Sequence, residues 1–396
     1  MANALLTPTA VTRESLRVLH QKLNFVGAVT RDYDDSYAKS GAKIGDTLKI
    51  RLPNQYTVRS GATLAAQDTT ESSVSLQVAT QKGVDLNFTS VDLTLSLDDF
   101  SKRIIDPAMS VLAANIEADA LNMYKDVYQS VWNGGSAATY NKALDCRVLL
   151  QRSLTPNNDR TMLLDPQAMA DVIKDTKTLF QDQASIAKQF KEGMVGRAAG
   201  FDWGENTLLP SHTRGAADTA YVVNTSTGIT SGTASVVVAT GTGAASKGDV
   251  FTIAGVYSVH PETKASTGQL QQFVLTADYA GGAGNLAVAP TPVTSGAKQN
   301  VTIVSAGSGK AVVWAGTAST AVQTGLAFQK GAFAFATADL VMPSGVDFAG
   351  REVMDGLSMR IVRAYDINND QFPCRLDILY GYKTLRAALA ARYHNN

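Results

Sequence analysis

The chain has 396 residues, of which 45% are hydrophobic and only 18% charged, with 35 basic and 35 acidic side chains. That length exceeds one compact core and predicts two or three domains. Zero net charge and a pI near 6.9 exclude a dedicated nucleic-acid binder, whose domains are strongly basic, and permit association between copies. Two cysteines, Cys146 and Cys374, exclude a disulfide scaffold and fit a reducing compartment. The opening stretch 1–16 lacks the basic and apolar regions of a secretory signal, and apolar runs are too short to span a bilayer. The sequence therefore predicts a soluble intracellular product with no membrane partner.

Residues 11–30 read as an amphipathic helix, with Thr12 as N-cap and Leu16, Leu19, Leu23 and Val26 forming one stripe. Arg13, Arg17 and Lys22 lie away from that stripe. Residues 46–97 alternate as strands: Leu48, Ile50, Leu52; Val74, Leu76, Val78; Val84, Leu86, Phe88; and Leu93, Leu95, Leu97. Between the first two runs lies a polar stretch, 54–73, poor in apolar side chains. Such a two-stranded excursion is marginal in water unless something packs on it.

A helix start follows at Asp106-Pro107, and Leu112, Ile116, Ala120, Tyr124, Val127 and Val131 continue at spacings of three to four until Gly134-Gly135. The pattern predicts about 27 helical residues, a rod of roughly 40 Å. Met162-Leu163-Leu164 reads as a strand, Asp165-Pro166 as a helix start, and 167–190 as helix. Near the C-terminus, Leu357, Met359 and Ile361 alternate, as do Cys374, Leu376, Ile378 and Tyr380, separated by a polar turn at 366–370. A short helix over 384–393 is expected to end the chain.

Composition changes near residue 216. From 216 to 328 there are eight charged residues and 15 of the 32 glycines, so charge density falls about threefold relative to the rest. Short β-branched or aromatic runs recur at 221–223, 235–239, 250–253, 272–276, 301–304 and 311–314, each bounded by turn formers. That rhythm predicts a folded all-β insertion in place of a Gly/Ser/Thr linker. The fold class is accordingly α+β with an all-β insertion.

Chemistry is sparse. The four histidines, His20, His212, His260 and His394, have no second His or Cys at metal-ligand spacing, so no metal site is expected. Asp366-Ile367-Asn368-Asn369-Asp370 opens like a calcium loop, but Gln371 stands where the sharp turn needs Gly and Pro373 follows, so a polar hairpin turn is the better reading. Gly307-Ser308-Gly309-Lys310 lacks the first Gly and final Ser/Thr of a phosphate loop, and Gly282-Ala283-Gly284 precedes prolines instead of a helix. Carboxylate pairs such as Asp171/Asp175 and Glu352/Asp355 read as solvated faces. No catalytic residue and no cofactor is expected; the sequence does not ask for an enzyme.

Several segments resemble the major capsid proteins of tailed bacteriophages. Leu97-Asp98-Asp99-Phe100-Ser101, Ile105-Asp106-Pro107-Ala108 and Leu112-Ala113-Ala114-Asn115-Ile116-Glu117-Ala118-Asp119 are similar to their spine-helix region. Gly196-Arg197-Ala198-Ala199-Gly200-Phe201-Asp202 resembles the close of the first part of their A-domain. Leu326-Ala327-Phe328-Gln329-Lys330-Gly331-Ala332-Phe333 and Asp377-Ile378-Leu379-Tyr380-Gly381-Tyr382-Lys383-Thr384-Leu385-Arg386 resemble their C-terminal pieces. Gly248-Asp249-Val250-Phe251-Thr252-Ile253-Ala254-Gly255-Val256 resembles the inserted module of the podovirus branch.

The resemblance implies a Hong Kong 97-type fold. Residues 1–42 would be an N-terminal arm, 43–90 the E-loop, 91–140 the P-domain with its spine helix, and 141–215 the first part of the A-domain. An inserted β I-domain would occupy 216–325, and 326–396 would complete the A- and P-domains. It also implies a function: self-assembly, as hexamers and pentamers, into an icosahedral procapsid and then a mature head enclosing double-stranded DNA held non-specifically. Portal protein and, because little chain precedes the E-loop, a separate scaffolding protein are implied partners; decoration proteins are left open. Assembly would occur in the bacterial host cytoplasm and the product would reside in the virion. The I-domain would act as an intramolecular chaperone on the outer face.

Within that scheme the E-loop has one apolar face that only a neighbouring copy covers, and Arg51, Arg59, Asp68, Lys82 and Asp85 set register between copies or merely keep a surface loop solvated. Arg13, Arg17 and Lys22 would face scaffold or DNA, or form an ordinary solvated helix face. An encapsulin-type compartment and a β-rich virion surface or adhesin protein are the alternatives.

Overall fold

The computed structural model describes residues 8–31, 47–59, 61–64, 66–69, 71–88, 104–176, 196–226, 228–304, 309–346, 348–367 and 372–395. The strand expected at 93–97, the helix beyond 176 and most of the 366–370 turn lie outside them.

Two helices come first, α1 (Pro8–Lys22) and α2 (Phe25–Ala28). Strands β1 (Thr47–Leu52), β2 (Ser72–Gln77) and β3 (Thr80–Phe88) follow, then α3 (Asp106–Leu121) and a 3-10 turn, Asn122–Asp126. Next are β4 (Ser130–Trp132), α4 (Tyr140–Arg152), β5 (Arg160–Leu164) and α5 (Pro166–Thr176). Short strands β6 (Arg197–Ala198), β7 (Phe201–Glu205) and β8 (Ser211–Thr213) precede β9 (Val222–Val223) and β10 (Ser235–Thr240). The long pair β11 (Val250–Val259) and β12 (Ser266–Leu275) is followed by β13 (Gly284–Ala289), β14 (Val301–Ile303) and β15 (Val312–Trp314). The chain ends with β16 (Ala321–Gln329), β17 (Phe333–Ala338), β18 (Phe348–Met354), β19 (Leu357–Arg363), β20 (Phe372–Thr384) and β21 (Ala390–Asn395). The chain divides into two compact units, one drawn from 1–51, 73–121 and 333–385, the other from 52–72, 122–332 and 386–396.

The first unit is a five-stranded antiparallel sheet, β17-β20-β19-β18 with β3 also paired to β20, and α1 and α3 pack on it. Leu16, Leu19, Leu23 and Val26 are all buried, so the expected stripe is the packed face. The helix itself starts earlier, at Pro8, where a missing N–H costs nothing. Thr12, expected as its cap, is therefore an interior residue and fully buried. Beyond α2, Thr30 continues the attachment: its N–H donates to Phe333 O (3.2 Å) and its O accepts from Phe335 N (3.1 Å). The described part of 1–42 is thus built into this unit.

The spine helix is shorter than its spacing predicts. α3 has 16 residues, about 24 Å, because the chain tightens into the 3-10 turn at Asn122. Three-residue spacing survives that change, so Tyr124 and Val127 remain buried and mimic a continued helix. Val131 then sits in β4, parallel to β21.

The second unit holds a seven-stranded sheet, β4-β21-β16-β5-β7-β6 with β8 also on β16. Cys146, Leu150 and Met169 of α4 and α5 join Met162, Phe201, Trp203 and Tyr393 in its core. Thr139 caps α4, its hydroxyl accepting from Lys142 N, and Asp165 accepts from Gln167 N at the start of α5. The helix expected over 384–393 is instead the end of β20, a 3-10 turn and a fully buried strand, β21. Alanines at 387, 388, 390 and 391 favour a helix locally, but β21 pairs with β16 on one edge and β4 on the other, and that ladder wins.

The insertion is folded, as its composition predicts, and all the expected runs are strands or strand parts. Its order is β14-β11-β12-β13-β10-β9 with β15 on β11, and it closes on itself: Val222 bridges Ala311, Val223 N donates to Lys310 O and Val312 N to Tyr221 O. Closure leaves few free edges and encloses a core of its own, including Tyr221, Val236, Phe251, Phe273, Leu286 and Trp314. The expectation omits β13, whose flanking glycines read as loop.

Candidate subunit-contact surface

The ribbon β1–β2 pairs only at its base. There, Ile50, Leu76 and Val78 are buried with Ala334, Ala336 and Leu379 of the first unit's sheet. Gly381 makes this possible, because a Cβ at that position would collide with Gln77 O. The expectation that the whole apolar face lies bare is therefore corrected: the alternating base is covered by its own chain. The bare apolar side chains are farther out and do not alternate, Tyr56 (55% exposed), Val58 (96%) and Leu64 (83%).

The outer ribbon keeps its shape without a strand ladder. Gln67 spans it, its Oε1 accepting from Thr57 N (2.9 Å) and Thr57 Oγ1 (3.0 Å) while its Nε2 donates to Thr57 O (2.6 Å). Arg59 folds back to donate to the carbonyls of Gly61 and Thr63. Sequence reasoning misses Gln67, since a lone Gln in a polar stretch carries no local signal.

The charged candidates divide into groups. Arg51, Arg59 and Asp68 are exposed on the ribbon. Lys82 and Asp85 are not on it: β3 joins the five-stranded sheet along β20, from Thr80↔Tyr380 to Phe88↔Phe372. Lys82 Nζ lies 2.7 Å from Asp119 Oδ2 of α3, and Asp119 also accepts from Tyr380 hydroxyl. Burial, then Asp119, pushes the Tyr380 hydroxyl well above its ordinary range. Asp85 is 3.8 Å from Arg375. Arg13, Arg17 and Lys22 are exposed on α1, with Arg17 held by Glu14 (2.6 and 2.9 Å) and Gln21 (3.1 Å).

Nothing in this arrangement performs chemistry. Among the described residues no group of three or more His, Cys, Asp or Glu could hold a metal ion, and no helix is long and apolar enough to cross a membrane. What the ribbon offers is a preshaped apolar tip on a long lever, a surface for another protein.

A family model for the P22 coat protein, gene protein 5, matches residues 9–391. The chain belongs to the P22 coat protein family. It is thus a bacteriophage major capsid protein, a structural component of a viral shell and not an enzyme. No curated protein matches the chain. Among solved structures it is similar to Mycobacterium phage Che8, at 12% identity over 94% of this chain and 90% of that one (TM-score 0.49). The mature capsid of bacteriophage PhiM1 is 11% identical over 88% and 82% (TM-score 0.43), and the SrpI encapsulin of Synechococcus elongatus PCC 7942 12% over 83% and 77% (TM-score 0.36). The mixed α/β capsid protein self-assembles into shells and belongs to the virion.

Proposed function

We propose that this coat protein has the Hong Kong 97-type architecture, with the ribbon as its E-loop, the sheet carrying α1 and α3 as the P-domain, the sheet carrying α4 and α5 as the A-domain and the closed barrel as the I-domain. Hexamers and pentamers would form a procapsid in the host cytoplasm around a separate scaffolding protein and a portal, then a mature head enclosing double-stranded DNA. The observation that carries this reading is the tip of the ribbon, where Tyr56, Val58 and Leu64 stand bare on a backbone braced by Gln67. Covering each such side chain is worth about 1.5–3 kcal/mol, and the gain recurs in every subunit of a shell. Head-to-tail contacts that close give rings.

Arg51, Arg59 and Asp68 border the tip and are proposed to set its register on the neighbour, while Arg13, Arg17 and Lys22 on α1 are proposed to meet scaffold or DNA. Zero net charge suits a shell that lets its DNA go. Electron microscopy of the purified protein, with and without co-expressed scaffolding protein, tests the reading. Closed shells with scaffold and irregular polymers without it are expected; fibres or small discrete oligomers in both would sink it.

A further inference from the structure

The barrel joins the second unit's sheet through a stem in which Arg214 N donates to Thr320 O and Ser319 N to Gly215 O. Polar contacts hold this neck. Gln272 of β12 receives Ser130 N (2.8 Å) and donates to Ser130 O (2.9 Å). Arg392 Nη1 of β21 donates to Gly248 O (2.8 Å), and Arg214 donates to the carbonyls of Gly316 and Ala217. Asp249, fully buried, accepts from Gly215 N, Ser246 N and His212 Nε2 (3.0, 2.9 and 2.9 Å). An ionised carboxylate only accepts, so His212 carries its proton on Nε2 and its Nδ1 accepts from the Tyr124 hydroxyl (3.1 Å).

His394 stands behind this chain of bonds. It is 2% exposed, its ring 6.3 Å from His212 and 5.1 Å from Trp132, with Nδ1 3.3 Å from Thr324 Oγ1. A cavity of about 10 Å³, room for roughly one water, is lined by Ser130, Trp132, Asp249, Arg392 and His394. The charges packed around the neck are Arg214, Arg392 and Lys125 against Asp249 and Asp126, and Tyr124 is the remaining titratable neighbour.

We propose that the neck is an acid-released joint: a proton on His394 parts the C-terminal strand β21 from the barrel while the barrel keeps its own core. Burial first, then Arg392 and His212, hold the His394 imidazole far below its ordinary range, so in the closed joint it stays neutral. A proton there adds a cation beside Arg392, itself so buried that its guanidinium falls to about 10. The opened form takes that proton at the ordinary histidine value, near 6.5. Opening therefore binds a proton and gains up to about tenfold per pH unit below that value, and nothing above it. The joint yields before its neighbours because it is held by hydrogen bonds between two apolar cores, each closed on its own side.

Native-state hydrogen exchange on the unassembled full chain, at pH 7.5, 6.5 and 5.5, tests this. After correction for intrinsic rates, opening at 390–395 should rise up to about tenfold from pH 6.5 to 5.5, while 236–238 and 286–288 in the barrel stay unchanged. His394→Gln, which keeps a partner for Thr324, should remove the dependence. Equal opening at 390–395 at all three pH values, or a pH dependence retained in folded His394→Gln, overturns the proposal. Should His394→Gln not fold, the wild-type comparison decides alone.

Discussion

The ribbon and the barrel are both all-β excursions from the shell-forming body, yet they solve the same problem in opposite ways. A strand pair in water has unpaired edges and too little of its own chain to bury its apolar side chains. The barrel removes both difficulties internally: β9 reaches β15, the ladder closes, and Phe251, Phe273 and Trp314 pack within 5.0–5.9 Å of one another. The ribbon leaves both unsolved beyond its base, where Tyr56, Val58 and Leu64 have no cover and Gln67 replaces a ladder. A region that closes on itself is a folding unit; one that does not is an assembly element.

The largest effect that could break this contrast is in the barrel. Phe251→Ala removes a fully buried ring and should cost about 3–5 kcal/mol, read by equilibrium unfolding of the unassembled chain. A loss below about 1 kcal/mol would mean the barrel core is not a separate source of stability. In the ribbon the pattern should invert. Val58→Ser with Leu64→Ser should leave chain stability within about 0.5 kcal/mol, since both side chains face solvent. Association should weaken by about 3 kcal/mol per contact, more than a hundredfold, seen by sedimentation velocity as unassembled coat protein in the presence of scaffold. Normal shells from the double variant would move the contact elsewhere.

How much of this was legible follows the same division. Barrel strands announce themselves because alternating β-branched residues between glycines act locally; β13 escaped where Gly282 and Gly284 hid its start. The ends of α3 and the identity of β21 were not legible, because non-local pairing decided both: Ser130↔Arg392 and Phe328↔Ala390 join segments far apart in the chain. At the contact surface, the polar stretch 54–73 and its lack of support were readable. Which apolar residues stay bare was not, since Ile50, Leu76 and Val78 are covered by β17 and β20, a relation no spacing encodes. Likewise Arg392 meets Gly248 across 144 residues, so histidines dismissed for lack of metal spacing became the neck.

The smallest expected effect concerns the first unit, which sets the root of the ribbon. Asp355 and Gly356 form a two-residue turn between β18 and β19, both at positive φ (+50° and +75°), the twist that hairpins favour. The Asp355 carboxylate accepts from His20 Nε2 (2.8 Å) and Arg31 Nη2 (2.7 Å), clasping the N-terminal segment to the turn. His20, then Arg31, hold that carboxyl below its ordinary range. A depressed carboxyl lends stability above its unfolded value, near 3.9, and that stability drains as pH falls through the lower folded value. Asp355→Asn keeps the turn, since Asn-Gly suits the same geometry, and removes only the charge. Because the carboxylate is half exposed, the variant should lose under about 1 kcal/mol at pH 7 and nothing further below pH 3, as measured by denaturant unfolding across that range. A loss as large as that of Phe251→Ala would mean the clasp, and not the buried stripe of α1, secures the N-terminal segment to its sheet.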